Sequence, residues 1–595
     1  MPSIFSSFFL IVSSTKIAAT NSGHQALVAL PITLVLSTII MEINAFPHCI
    51  NSTKYRVHEK QPYRTWYHFQ PPQNWMNGPV YYKGVYHFFF QYNPYAPTFG
   101  RHMVWGHSVS YDLINWIHLN HALEPSESYD INGCYSGSIT TLPGEKPVIM
   151  YTGSDTKKHQ IQNLAMPTNL SDPFLREWVK QPQNPIIVTP SGIEVEGFRD
   201  PTTAWQGSDG KWRVIIGAKN GDDGKALIYH SEDFVNWKLH PNPLYASDNT
   251  GMFECPDFLP VYISGTKNGV DTSVQNSNVK HVLKMSYQNK QQEYYFLGEY
   301  FPDQEKFIPE AVLTGTSEEL ILDHGMFYAS KSFFDYAKSR RILWGWSNEC
   351  DTTQDDFDKG WAGLQSIPRQ VWLDKSGKRL KQWPIEEVEK LRDKQISIMA
   401  EKLIGGSLLE VSGITASQAD VEVLFELPEL ENAEWLDQSE VDPNLLCSQE
   451  YASRSGIIGP FGLLALASED QTEHTAIFFR IYRATSRYLC LMCSDQSRSS
   501  LRQDLDKATY GTIFDIDPNL KTISLRSLID RSIIESFGEK GKICITSRVY
   551  PSLAIDKDAH LYVFNNGSKS VVISELNAWS MKHEASRIYP REEHK

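Results

Sequence analysis

Between residues 60 and 375 the apolar positions come in short alternating runs, and no sustained helical period appears. Val80–Tyr82 and Val85–Gln91 flank Lys83-Gly84, the pattern of a tight β-hairpin. Val148–Thr152, Trp212–Gly217, Ala226–His230, Val282–Tyr287, Glu293–Leu297, Met326–Ser330 and Ile342–Trp346 are further strand-length runs. Two segments echo one another, SYDLINWIHL at Ser110–Leu119 and SEDFVNWKLH at Ser231–His240. Their Trp116 and Trp237 lie about 120 positions apart, the spacing of two units of roughly 60 residues. Repeated four-stranded units around an axis make a β-propeller, and about 310 residues would hold five blades. A non-repeating array of β-sandwiches is the competing arrangement. A propeller feeds loops from several blades into one central funnel, where scattered polar motifs can meet.

From 376 to 405 the composition turns charged and helix-prone (PIEEVEKLRDKQISI), as in a linker or short helix between domains. Beyond it, Gly406–Val411, Val421–Phe425, Thr475–Tyr482, Thr522–Ile529, Ile543–Val549 and Leu561–Phe564 alternate again. That spacing over 406–585 suits a β-sandwich, so the expected fold is all-β, a five-bladed propeller followed by a sandwich. The polar tail from His583 is expected to fray.

Residues 1–45 read as a targeting segment. Lys16 and the apolar patch Ile4–Val12 precede a longer run, Ala26–Ile40, which is interrupted by Pro31 and followed by small and polar residues. The run is short for a bilayer span and resembles the apolar core of a signal peptide; only an uncleaved segment would tie the chain to a membrane. Sequons at Asn51, Asn169 and Asn566 agree with secretion.

The formal charge of −14 and the absence of a Lys/Arg run argue against nucleic acid or anionic membrane as a partner. Aromatic content of 12% without basic strips points instead to sugars or other neutral polar ligands. Eight scattered cysteines do not make a disulfide scaffold. Cys490 and Cys493 have CxxC spacing but no second pair or nearby His, so no zinc site is expected. One disulfide among the last four cysteines is expected, Cys447–Cys493 first, against the alternative of buried free thiols.

Three polar motifs carry candidate chemistry. In GFRDPTTAW, Gly197–Trp205, Arg199 stands beside Asp200, either as a grip on sugar hydroxyls or as a structural ion pair at a turn. In GMFECPDFLP, Gly251–Pro260, Glu254 sits among Phe253, Cys255 and Pro256. Buried there it would suit a general acid for glycosidic cleavage; at a strand edge it would be an ordinary solvated carboxylate. Asp257 reads as structural. The third motif is the aromatic stretch Trp66–Trp105, where Trp75, Asn77, Gln91 and Trp105 offer ring faces and amides, with Tyr135 and Ser136 adding an aromatic–hydroxyl pair.

These motifs resemble plant acid invertases and fructan exohydrolases of glycoside hydrolase family 32. The matching stretches are WMNGPVYYKGVYHFFFQYNP, WGHSVSYDLINW, YDINGCYSGS, EGFRDPTTAW, FECPDF, DHGMFYASKSFFD, WGWSNE and GWAGLQSIPRQVWLD, then LMCSDQSRSSL and DRSIIESFGEKGK with ITSRVYP. The resemblance covers almost everything after residue 60. It implies a five-bladed propeller and a sandwich, no metal or organic cofactor, and hydrolysis of β-fructofuranosyl bonds with retention. Carried over, Glu254 is the acid/base and Asp200 the transition-state stabiliser, with Arg199 beside it. Asn77, Gln91, Trp105, Tyr135 and Ser136 line the fructose subsite, with Trp75 adjoining. Pro256 resembles the cell-wall and exohydrolase branch, which implies an apoplastic or wall location rather than the vacuole.

The departures from the family pattern carry the most information. The family motif WMNDPNGP stands here as Trp75-Met76-Asn77-Gly78-Pro79, three residues short, and the nucleophilic Asp is among the three. In plant members a tiny separate exon encodes such residues, so skipping or overlooking that exon would leave this string. Tyr135 and Phe253 replace the usual Trp of WSGS and WECPD. Asp323-His324-Gly325-Met326 resembles the DYGK element of sucrose-cleaving members, with the Asp kept as a candidate substrate ligand and the Lys gone. The missing Lys and the pI of about 5.7 favour an exohydrolase, although the whole pattern still tilts slightly to invertase. The small-molecule partner is then sucrose or a fructan.

Overall fold

The computed structural model describes residues 61–71, 75–100, 102–310, 320–437, 441–517, 519–584 and 587–588, without the side chains of 75–77 and 587–588. The targeting segment, Asn51 and Cys49 lie outside the described residues. Five antiparallel sheets follow one another along the chain, each made chiefly of four strands met in order. Their first strands are Trp75–Tyr82, Cys134–Leu142, the pair Phe198–Arg199 and Trp205–Gln206, Phe253–Tyr262, and Tyr328–Asp335. These first strands pack on one another around a common axis, so the sheets are blades I to V of a β-propeller. Two further sheets with six-stranded paths, opening with Arg392–Leu403 and Ser407–Glu410, enclose a large aliphatic and aromatic core and form the sandwich.

The local sequence explains the blade repeat. Lys83 and Gly84 both take positive φ, 45° and 85°, the turn geometry that keeps the hairpin's right-handed twist. In blade I, Asp112 accepts the backbone N–H groups of Ile114 and Asn115 while Leu113 adopts φ 65°; Trp116 then begins the fourth strand. In blade III, Asp233 does the same for Val235 and Asn236, with Phe234 at φ 65° and Trp237 opening the fourth strand. Blade II holds a looser version of this turn, two residues longer between aspartate and tryptophan, that the sequence reading missed. Asp172 caps Phe174 and Arg176, Leu175 has positive φ, and Trp178 starts the fourth strand, at the same spacing of roughly 60 residues. An aspartate accepting from the following N–H groups is a cheap way to fix a tight turn. The tryptophan then buries its ring within or against a blade's apolar face, worth about 1.5–3 kcal/mol for a large apolar side chain.

Two boundaries differ from expectation. The stretch 376–405, read as a linker, is mostly ordered sheet: Leu380–Pro384 is the outer strand of blade V, and Arg392–Leu403 is the first strand of the sandwich. Most of its charged residues lie in a short 3-10 helix, Glu386–Leu391, between the two strands and along Arg392–Leu403, an edge strand exposed over most of its length, which the composition alone mimics as a linker. The tail read as frayed returns to the propeller, where Arg587–Ile588 pairs in parallel with Ile117–His118.

Propeller and sandwich share a core. Tyr67, Phe88, Trp116 and Trp344 cluster with Leu528, Phe537 and Met581. Beside it runs a buried polar chain. Asp530 accepts the N–H groups of Trp66, Tyr67 and His68, and the His68 ring bridges Asp530 and Glu535 at 2.9 and 3.0 Å. Arg369 continues it, donating to Glu535 and, at 2.8 Å, to Asp323. Cys447 and Cys493 form a disulfide in the sandwich, while Cys134, Cys255, Cys350, Cys490 and Cys544 are buried thiols.

Candidate active site

Every blade breaks its inner strand at the same end. The register slips between Met76 and Pro79 in blade I, Cys134 and Gly137 in blade II, Glu254 and Asp257 in blade IV, and Tyr328 and Lys331 in blade V. In blade III the strand stops after Arg199 and resumes at Trp205. A bulge re-aims side chains and ends pairing, and here four bulges and one strand break ring one axis. Asp200, Cys255 and Ala329, on three neighbouring blades, all adopt positive φ, at 66°, 45° and 50°. Such non-glycine conformations cost about 1–3 kcal/mol each and persist where surrounding structure enforces them, often at functional sites.

The bulges bring the predicted carboxylates together. Arg199 donates to Glu254 at 2.7 Å, and its Nε lies 3.9 Å from Asp200. Tyr328 donates its hydroxyl to the other Glu254 oxygen at 2.5 Å. Asp200 is buried, accepts the Cys255 N–H at 2.9 Å, and is itself positioned by its own N–H on the Thr152 hydroxyl. Burial raises the Asp200 pKa and the Glu254 charge adds to this, with Arg199 opposing. Burial likewise pushes the Tyr328 phenol up, aided by the Glu254 charge, so it stays a donor. Glu254 is therefore not in the purely apolar setting expected of it. Its side chain keeps 19% exposure and two hydrogen-bond donors.

On blades I and II the neighbouring residues also meet. Gln91 donates to the Ser136 hydroxyl at 3.2 Å, and Tyr135 stays partly open with its ring 5.7 Å from Phe99. Trp105 departs from expectation. It is fully buried and donates its indole N–H to the Tyr135 carbonyl, so it supports the rim from behind. The backbone at Trp75 and Met76 pairs with Gln91 and Phe90. The side chains of Trp75 and Asn77 lie outside the described residues.

Asp323 is the clearest correction. It is fully buried between propeller and sandwich, where Arg369, Gly325 N–H and both Thr546 donors take up its oxygens. It has no face for a substrate, and the cation that orients it is Arg369. Lys331 was missed altogether. Its buried ammonium, from blade V, reaches Ser138 of blade II at 3.3 Å, the Pro201 carbonyl of blade III at 3.4 Å and the Pro256 carbonyl of blade IV at 3.1 Å. That one cation holds four inner strands at a common level and so places Asp200, Glu254 and Ser136 on one ring. Burial lowers its pKa, opposed by Cys255, Asp257 and Asp200. A lysine in the middle of a strand-length run between Tyr328 and Phe333, YASKSFFD, was the available signal.

Two carboxylates a blade apart, an arginine between them, and a ring of bulges make a site for polar-ligand chemistry. Model searches match residues 68–384 to the glycosyl hydrolases family 32 N-terminal domain and residues 387–580 to its C-terminal domain. The chain belongs to glycosyl hydrolases family 32. It is 54% identical over 533 residues to a fructan 6-exohydrolase of Beta vulgaris, covering 88% of each chain. It is 51% identical over 580 residues to the Arabidopsis thaliana beta-fructofuranosidase, insoluble isoenzyme CWINV3, covering 95% of this chain and 96% of that one. Fructan 1-exohydrolase IIa from Cichorium intybus matches in structure with a TM-score of 0.86 at 54% identity, over 89% of this chain and 99% of that one. A variant of that Cichorium protein is known in complex with 1-kestose. Membership makes the chain a glycoside hydrolase of the β-fructofuranosidase type, with the propeller and sandwich of its family.

Other family-level expectations meet the structure unevenly. Asn169 is exposed, whereas the Asn566 amide is tied to the Ala452 carbonyl at 2.7 Å and would have to release it to carry a glycan. A further acidic group, Glu349, Asp351 and Asp356, closes on the Lys359 ammonium, at 2.8 Å to Asp351 and 2.6 Å to Asp356. The cation there is the protein's own.

Proposed function

We propose that this chain is the scaffold of an enzyme that hydrolyses terminal β-D-fructofuranosides of sucrose or fructans, and that the sequence as it stands is impaired. Glu254 is the acid/base and Asp200 grips fructosyl hydroxyls beside the ring, with Arg199 holding both carboxylates in place. The observation that carries the reading is the meeting of Glu254, Arg199 and Asp200 at the bulges of adjacent blades. A retaining mechanism needs a second carboxylate about 5–5.5 Å from the acid, on the opposite side of the scissile bond. Asp200 is committed to the Cys255 N–H, and the blade I stretch Trp75–Val80 contains no Asp or Glu. The nucleophile belongs between Asn77 and Gly78, at the blade I bulge.

The Asp323 element no longer bears on sucrose against fructan, since that residue is spent on Arg369 and Thr546. Relatives named as exohydrolases and as insoluble β-fructofuranosidases are about equally similar, so sucrose and fructan stay as paired substrates, and the wall or apoplast is the proposed location. Because Asp200, Glu254 and Tyr328 remain assembled without the nucleophile, sugar binding without turnover is the second reading. Inserting Asp-Pro-Asn between Asn77 and Gly78 and assaying sucrose, inulin and levan tests the assignment. Turnover of none of them by the restored chain would refute it. Calorimetry on the chain as given, with the same sugars, tests the second reading. Sequencing transcripts across the Asn77–Gly78 junction tests whether the short form arises by omission of those codons.

A further inference from the structure

A cleft of about 820 Å³ lies between blade V and the sandwich, within the size range of small-ligand sites. It is not the candidate active site. Inner strands start at the site with Glu254 and Tyr328, so the connection after Tyr262 and the turn after Leu373 lie at the opposite end of the propeller. Lys267 from that connection and Lys375 from that turn face the cleft, with Lys381 from the outer strand of blade V. The sandwich turn 539–542 adds Lys540 and Lys542, and it is pinned to blade V by the Gln382 N–H on the Gly541 carbonyl at 2.9 Å.

Five ammonium groups from four segments thus converge on a chain whose net charge is −14. Among the described residues none of the five has a carboxylate within ion-pair distance. The acids of the lining are engaged elsewhere: Asp374 with Ser376 of its own turn, Glu422 with Arg392, Glu539 with the Ser524 N–H, and Glu575 with Asn577. Burial lowers the pKa of Lys381 and Lys542; neighbouring cations add to this, while the charges of Glu539 and Asp374 oppose it from beyond ion-pair distance. Trp383 also lines the cleft, half-buried, with Arg526 5.3 Å from its ring, whereas Trp372 is buried beneath Lys267 at 5.2 Å and offers no open face. Indole faces suit the C–H faces of sugar rings, and ammonium groups suit carboxylates.

We propose that this cleft binds an acidic oligosaccharide, a short chain of uronate sugars, separately from the catalytic funnel. The experiment is calorimetric titration of the full chain with oligogalacturonate, a neutral malto-oligosaccharide and inorganic polyphosphate, at low and high salt. The expected result is uronate binding at low salt that weakens at high salt, with no binding of the neutral sugar. Combined Lys381→Glu and Lys540→Glu should weaken it about tenfold or more without lowering Tm. If that variant misfolds, Lys267→Ser with Lys375→Ser, both on exposed turns, is read the same way. The proposal is overturned by absence of uronate binding at low salt, by unchanged affinity in a folded variant, or by polyphosphate binding more tightly than uronate.

Discussion

Two arginines in this molecule each join two carboxylates, and they do opposite work. Arg369 lies at 0% exposure between Asp323 and Glu535, and its partners are further satisfied by Thr546 and His68. Arg199 lies between Glu254 and Asp200 at the mouth of the propeller, where the Glu254 side chain keeps 19% exposure. In the first cluster every charge is spent on holding propeller to sandwich. In the second, a carboxylate remains reachable on a strained, bulged backbone. Residue types alone do not separate the two; exposure and hydrogen-bond completeness do.

That contrast can be attacked from both sides. The largest effect is expected at the mouth. In the chain with Asp-Pro-Asn restored, Glu254→Gln should lower kcat by about 10²–10⁴-fold, while the melting temperature stays near that of the parent. A large loss of stability would mean the mouth cluster is structural like its counterpart. At the interface, Arg369→Ala leaves Asp323 and Glu535 buried without their cation, which should cost about 3–5 kcal/mol. Chemical denaturation reads this, and the folded fraction should keep the parent's kcat; a specific loss of activity at intact stability would return Asp323 to the active site.

The interface also predicts a pH dependence. Burial alone would push the His68 pKa down, but hydrogen bonds to Asp530 and Glu535 more than reverse this and raise it from 6.5 to about 9. A group whose folded pKa is raised stabilises fully below its unfolded value. The His68 contribution is therefore complete below pH 6.5 and lost as pH rises through about 9, a change of about 3 kcal/mol. Unfolding free energy followed from pH 6 to 10 should fall accordingly, and His68→Gln should flatten the curve. The smallest effect is at Tyr328. Removing one donor to Glu254 with Tyr328→Phe should cost about 1–2 kcal/mol in kcat/KM of the restored chain and shift the acidic limb of its pH profile. An unshifted profile would mean the phenol does not touch the working state of Glu254.

The sequence exposed the fold better than the site. Lys83-Gly84 and the echo of Trp116 in Trp237 are local signals, because turn chemistry and ring burial act within a few residues. Trp178 belongs to the same series but hides behind SDPFLREW, where Asp172 and Trp178 stand six positions apart instead of the four of Asp112–Trp116 and Asp233–Trp237. Asp200, Arg199 and Glu254 were legible as motifs. Asp323 was not, because alternation says which side of a strand a residue occupies and not whether a second domain covers it. Lys331 was lost for a related reason: its partners are two backbone carbonyls and a serine on three other blades, and no pairwise pattern in the chain encodes them. The stretch 376–405 passed for a linker because a short charged 3-10 helix and a largely exposed edge strand look as polar as one.

The central claim is that the Glu254–Arg199–Asp200 cluster is intact and that the chain lacks only its nucleophile. The most direct measurement is kcat/KM on sucrose and on inulin for two chains purified side by side, one as given and one with Asp-Pro-Asn inserted between Asn77 and Gly78. A rate ratio on the order of 10⁴ or more in favour of the longer chain is the expected result. Equal turnover by the two chains would contradict the account.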